Sequence, residues 1–122
     1  MGQRRRPVLE TINRARRIVE AVSDKQASDV VLLDTRQVCS FADYFVVCSA
    51  ESDRQVNAVA EDIDKLLKTL GSNSHRREGA ADSGWVLIDD GNIITHIFSP
   101  ETREFYQFDT LWGKAPVLMR VQ

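Results

Sequence analysis

From residue 8 to residue 22 the apolar side chains Leu9, Ile12, Ala15, Val19 and Val22 return every three or four positions, with Glu10, Arg14, Arg17 and Glu20 between them. One apolar stripe on an otherwise wet surface predicts an amphipathic helix. Val30-Val31-Leu32-Leu33 and Tyr44-Phe45-Val46-Val47-Cys48 have a different pattern: short, continuously apolar and largely β-branched or aromatic. Each reads as a strand covered on both faces, with a polar turn over residues 35–40 between them. Ser52 offers an N-cap and Gln55, three residues on, completes a capping box. Behind it run Val56, Val59, Ala60, Ile63, Leu66, Leu67 and Leu70, and Gly71 closes this second helix.

Residues 72–84 are polar and contain glycine, so a mobile surface loop is expected there. Residues 85–89 and 92–98 flank Asp90-Gly91, a strong two-residue hairpin signal. Ser99-Pro100-Glu101 then starts a third helix, with a capping serine, proline in the first turn and a carboxylate at the positive pole. Tyr106, Phe108, Leu111 and Trp112 give that helix an apolar side; Gly113 and Pro116 stop it, and residues 117–121 can add an edge strand. The order is αββαββα with an optional last strand. The fold class is α+β: a mixed β-sheet with helices packed on it.

The 122 residues suit a single domain, with residues 1–7 expected to form a flexible basic arm. A net charge of −2 argues against a general DNA or RNA binder. No run of apolar residues is long enough to span a membrane. Cys39 and Cys48 are too few for a disulfide framework, and Cys48 reads as a buried, reduced thiol. Arg4, Arg5 and Arg6 lead into charged helical sequence, unlike a signal peptide. Gly2 fails the myristoylation pattern because Arg6 stands where Ser or Thr is needed. A reducing cytoplasm is the expected location.

Catalytic chemistry finds little support. His75 and His96 have no cysteine or carboxylate at metal-ligand spacing, and no glycine-rich phosphate loop occurs. No cofactor is expected. The rival reading is a metal-dependent nucleotidyltransferase using Asp89, Asp90 and Ser52. Neighbours on a strand point to opposite faces, so the two aspartates cannot easily share one ion. They read instead as solvated turn carboxylates. With Asp90-Gly91 as the loop, Trp85 pairs with His96 and Leu87 with Ile94. Trp85, Leu87, Ile94 and His96 then share one face, while Val86, Ile88, Ile93 and Ile97 share the other. The second set is core. The first set is either a partner-binding patch or a covered core. Trp112, with Leu111 and Tyr106, either packs helix to sheet or meets a partner. Arg103 reads as a solvated charge or a partner contact.

The motif Asp43-Tyr44-Phe45-Val46-Val47-Cys48-Ser49, followed by Ser52-Asp53-Arg54-Gln55-Val56, resembles the centre of the RsfS/Iojap ribosomal silencing factor family. So do Glu78-Gly79, Trp85-Val86-Leu87-Ile88-Asp89, Gly91, His96-Ile97-Phe98, Arg103-Glu104-Phe105-Tyr106 and Leu111-Trp112, all in order. Ala50, Asp90 and Asn92 depart from that pattern at the turns. The resemblance implies a nucleotidyltransferase-like fold without the catalytic acids. It also implies a non-enzymatic repressor that binds large-subunit ribosomal protein fourteen and keeps the small subunit from joining, lowering translation when nutrients are scarce. A homodimer in the free state is implied too. On this reading the partner-binding residues are Trp85, Leu87, Asp89, Ile94, His96, Glu78, Arg103, Tyr106 and Trp112. The acidic groups Glu78, Asp82 and Asp89 would steer docking onto a basic ribosomal protein.

Overall fold

The two continuous apolar runs lie side by side in the middle of a six-stranded sheet. The computed structural model describes residues 8–72 and 74–121; the basic arm over residues 1–7 lies outside them. In chain order the elements are α1 (Val8–Asp24), β1 (Ser28–Asp34), β2 (Tyr44–Ser49), α2 (Asp53–Thr69), β3 (Arg76–Glu78), one 3-10 turn (Ala81–Ser83), β4 (Trp85–Asp89), β5 (Ile93–Phe98), α3 (Pro100–Phe105), α4 (Phe108–Leu111) and β6 (Val117–Val121). The strand order is β3-β4-β5-β2-β1-β6. All neighbours are antiparallel except β2 and β5, which run parallel from Tyr44 beside Ile93 to Ser49 beside Phe98. The sheet is therefore mixed, as expected.

Burial explains the two hydrophobicity patterns. Every residue of β2 and β5 is buried, because both sheet faces are covered. On one face α1 and α2 lay down Ala15, Ile18, Val19, Val22, Val56, Val59, Ala60, Ile63 and Leu67 against Val30, Leu32, Val46, Val86, Ile88, Ile93 and Ile97. On the other, Val31, Leu33, Phe45, Val47, Ile94 and Phe98 pack beneath Ala42, Phe108 and Ala115. The second layer is thin: α3 and α4 have six and four residues.

The start of α2 follows its capping signal. The Ser52 hydroxyl accepts from the Gln55 backbone N–H at 3.1 Å, and the Gln55 side-chain carbonyl accepts from the Glu51 N–H at 2.7 Å. At the other end Gly71, at φ +92°, lets its own N–H reach the Lys68 carbonyl and the Ser72 N–H reach that of Leu67. This crossed pair satisfies carbonyls that the last helical turn leaves free.

Three expectations change. Residues 72–84 hold a strand and a 3-10 turn rather than only loop. β3 is Arg-Arg-Glu, fully exposed, and joins the sheet by pairing its backbone with residues 87–89, so it leaves no hydrophobic signature. The third helix is split into α3 and α4, because Gln107 takes a left-handed φ of +51° between them. The hairpin register also moves by two residues: Trp85 faces Phe98 and Leu87 faces His96. Gly91, at φ +86°, occupies the first loop position, and Asp90 remains paired, donating its N–H to the Ile93 carbonyl at 2.9 Å. Glycine followed by asparagine suits that turn better than Asp90-Gly91, since the first central residue needs a positive φ. A shift of two keeps every side chain on its expected face.

Candidate docking face

Trp85 opens β4 directly after Gly84, whose carbonyl accepts from the Ser99 N–H at 2.9 Å and so ties the start of β4 to the end of β5. Its half-buried indole lies 4.8 Å from the Phe98 ring, 5.4 Å from Tyr106 and 6.1 Å from Phe108, measured between centroids. The indole N–H donates to His96 Nδ1 at 3.2 Å. An indole N–H can only donate, so Nδ1 is the acceptor and the neutral ring carries its proton on Nε2. Burial holds His96 neutral by lowering its pKa to about 3. Nε2 has no hydrogen-bond partner among the described residues, and the ring sits 4.6 Å from Phe45 and 4.8 Å from Phe108.

α3 and α4 cover this aromatic bed and are pinned to it by one side chain. The Ser99 hydroxyl caps α3 by accepting from the Thr102 N–H, and Pro100 occupies the first turn. Arg103 then turns inward. Its Nε and Nη2 grip both oxygens of Asp109 at 3.0 and 2.9 Å. Its Nη1 donates to the Asp29 carbonyl at 2.8 Å and to the buried Ser49 hydroxyl at 3.0 Å. The guanidinium thus joins both short helices to the start of β1 and the end of β2.

Among the charged and polar groups exposed on this layer, Glu101, Glu104, Gln107 and Asp109 included, stand several large apolar side chains. Phe105 is 77% exposed, Leu111 71%, Phe41 60% and Tyr106 53%. Phe105 meets Tyr106 edge-on at 5.0 Å, and Tyr106 leads to Trp85. Phe41 meets Phe45, which meets Trp112 edge-on at 4.8 Å. Beside Trp85 a shallow pocket is lined by Glu78, Gly79 and Leu87. Gly79, at φ +92°, passes so close to the Trp85 carbonyl oxygen that a Cβ would clash with it.

The chain matches the family described as ribosomal silencing factor during starvation over residues 8–122. It is 38% identical over 100 residues to the ribosomal silencing factor of Halalkalibacterium halodurans, covering 82% of this chain and 86% of that one. It is 37% identical over 97 residues to the Bacillus subtilis factor, covering 80% and 82%. The chain belongs to the ribosomal silencing factor family. A crystal structure of a Chromobacterium violaceum protein superposes with a TM-score of 0.78 at 30% identity, covering 88% of this chain and 91% of that one.

Within this family member the expected site residues separate into two groups. Trp85, Leu87, Tyr106 and Trp112 reach the surface at least in part, and Glu78 is exposed beside the pocket. His96 and Ile94 do not: they are 5% and 6% exposed, beneath the aromatic layer. The reading of an open face for them is corrected by Phe108, which covers the sheet there. Arg103 is likewise no solvated charge; it is 8% exposed because its four hydrogen bonds replace water. Asp89 caps the hairpin turn by accepting from the Gly91 N–H at 2.8 Å. Asp90 is corrected too. It is not a solvated turn carboxylate but an ion-pair partner of Arg14, with a hydrogen bond from Ser72 at 3.2 Å. The adjacent aspartates therefore serve different partners. Among the described residues no group of three or more His, Cys, Asp or Glu side chains could hold a metal ion. Phe41 and Phe105 carry no periodic signal, since one sits in a turn and the other at the end of a six-residue helix.

Proposed function

We propose that this protein is a translational repressor that docks on large-subunit ribosomal protein fourteen and blocks small-subunit joining by occupying the joining surface. The observation that carries the reading is the set of exposed Phe41, Phe105, Tyr106 and Leu111, with half-buried Trp85 and Trp112, on a member of a ribosomal silencing family. Monomers rarely leave so many large apolar side chains together in water without a partner to cover them. Aromatic anchors at the centre supply most of the affinity in such interfaces. Exposed Glu78 and Asp82 stand near the Trp85 pocket and steer a basic ribosomal protein toward it.

The mechanism needs no chemistry. Subunit joining requires close approach over a broad surface, so one rigid domain on that surface excludes the small subunit by volume. Translation falls when the factor is engaged, as the starvation link of the family suggests. In the free protein the same side chains pair two copies, and the cytoplasm is where it meets ribosomes. The test is sedimentation of the purified protein with separated large subunits, small subunits and joined ribosomes. It should travel with large subunits and be scarce on joined ribosomes; equal loading on small subunits would overturn the reading.

A further inference from the structure

The connections that leave the parallel seam diverge. After β2 the chain passes into α2, which packs on one face of the sheet through Val56, Val59 and Ile63. After β5 it passes into α3 and α4, and Phe108 packs on the other face. Where neighbouring parallel strands send their connections to opposite faces, a crevice opens beyond their carboxyl ends, and in open sheets that crevice is where ligands bind. Here it is a cleft of about 540 Å³, lined by Ser49 at the end of β2, by Arg103 and Glu104 of α3, by Asp109 of α4, and by Asp29 and Arg120. It shares no residue with the pocket beside Trp85.

Two buried residues of this cleft hold hydrogen-bond donors with nothing to donate to. Ser49 is 2% exposed; its hydroxyl accepts from Arg103 Nη1, while its own hydrogen has no acceptor among the described residues. Arg103 carries five N–H donors, of which its four hydrogen bonds use four, so one hydrogen on Nη2 remains. A buried donor without an acceptor is costly, so both groups favour an acceptor oxygen that the chain itself does not supply.

The rim sets the charge of the ligand. Asp109 is matched by Arg103. Asp29, Glu104 and Arg120 are exposed and in no ion pair among the described residues, which leaves two carboxylates and one guanidinium around the cleft. The carboxylates repel a phosphate or a nucleotide, and a simple cation would leave Arg120 and the buried donors unused. A small zwitterion satisfies both sides. We propose that the cleft binds a free α-amino acid, its carboxylate held by Ser49, Arg103 and Arg120 and its ammonium by Asp29 and Glu104. The arginine fork matches a carboxylate, and the volume leaves room for a side chain. The inference does not rest on the docking reading, since none of these groups belongs to the exposed apolar set.

The test is isothermal titration calorimetry of the full-length protein with each of the common α-amino acids in turn. At least one should bind, in the micromolar to millimolar range expected of so small a ligand. Its N-acetyl derivative, which lacks the ammonium, and its methyl ester, which lacks the carboxylate, should each bind about tenfold more weakly or worse. Arg120→Gln and Asp29→Asn should each weaken binding of the amino acid by about the same factor and leave the urea midpoint in place. Asparagine tolerates the left-handed φ of +47° at position 29. The two derivatives probe the wild-type chain, so their result stands even where a variant loses stability. No binding by any amino acid up to about 10 mM overturns the inference, as does equal binding by wild type and both variants. Equal binding of the amino acid and its two derivatives overturns it as well. If inorganic phosphate or adenosine monophosphate binds wild type and not Arg120→Gln, while no amino acid binds, the cleft is an anion site and the inference also falls. No ribosomal component enters the titration, so these outcomes leave the docking reading to its own test.

Discussion

Arg103→Met keeps the apolar stem of the side chain and removes four hydrogen bonds. Two go to Asp109, whose side chain is 64% exposed, so that ion pair contributes at most about 1 kcal/mol after solvent screening. The other two go to the Asp29 carbonyl and to Ser49, which is 2% exposed. A buried acceptor stripped of its donor costs about 1–3 kcal/mol. The Asp29 carbonyl belongs to an exposed residue and can regain water, so Ser49 carries most of that penalty. Methionine also relieves the cost of burying a cation, which brings the total down. The expected loss is about 2 kcal/mol, a sizeable part of the roughly 5–15 kcal/mol that holds a domain together. Asp109→Asn should cost no more than about 1 kcal/mol, because only the exposed partner changes. Urea unfolding of both variants measures the contrast, since the midpoint falls with stability while the slope stays constant. Equal losses for the two variants, or a loss below about 0.5 kcal/mol for Arg103→Met, would show that the guanidinium is not the pin of the α3–α4 layer.

Two further outcomes follow from the same face. The folded state holds His96 neutral down to a pKa of about 3, whereas the unfolded chain binds a proton near 6.5. Its contribution is therefore complete above about pH 6.5 and is lost as pH falls toward 3, at up to about 1.4 kcal/mol per pH unit. His96→Gln should flatten the dependence of the urea midpoint on pH in that window; an unchanged dependence would refute the assignment. Phe105→Ser and Leu111→Ser remove exposed side chains, so stability should move by about 0.5 kcal/mol or less. Each should nevertheless weaken co-sedimentation with large subunits by about tenfold or more, which equilibrium titration with labelled protein would detect.

The parts of this fold that were legible in the sequence are those whose cause is local. The Ser52 cap, the α2 stripe and the Gly71 stop all lie within a few residues of the structure they dictate. The faces of β4 and β5 were legible for the same reason: alternation alone separates Val86, Ile88, Ile93 and Ile97 from the rest. β3 was invisible because its reason to exist is a backbone partner eleven residues further on, and its exposed side chains carry no pattern. Asp90 and Arg103 were misjudged because the groups that bury them, Arg14, Asp29 and Ser49, come from distant parts of the chain. Likewise the exposure of Phe41 and Phe105 is set by tertiary packing, which no local pattern encodes.

The single parallel seam between β2 and β5 also sets the order in which a growing chain can complete its sheet. β1 with β2, and β4 with β5, are antiparallel neighbours that close short connections. The seam must wait for α2 and β3 to be made, and the outer edge of β1 stays open until Val121 can pair with Val30. Pairings between distant segments have to overcome their loop entropy before they return any contact energy. During synthesis, then, the apolar edge of β1 is bare until residues 117–121 leave the ribosome's exit tunnel, and the exposed strand is a template for unwanted pairing in the interval.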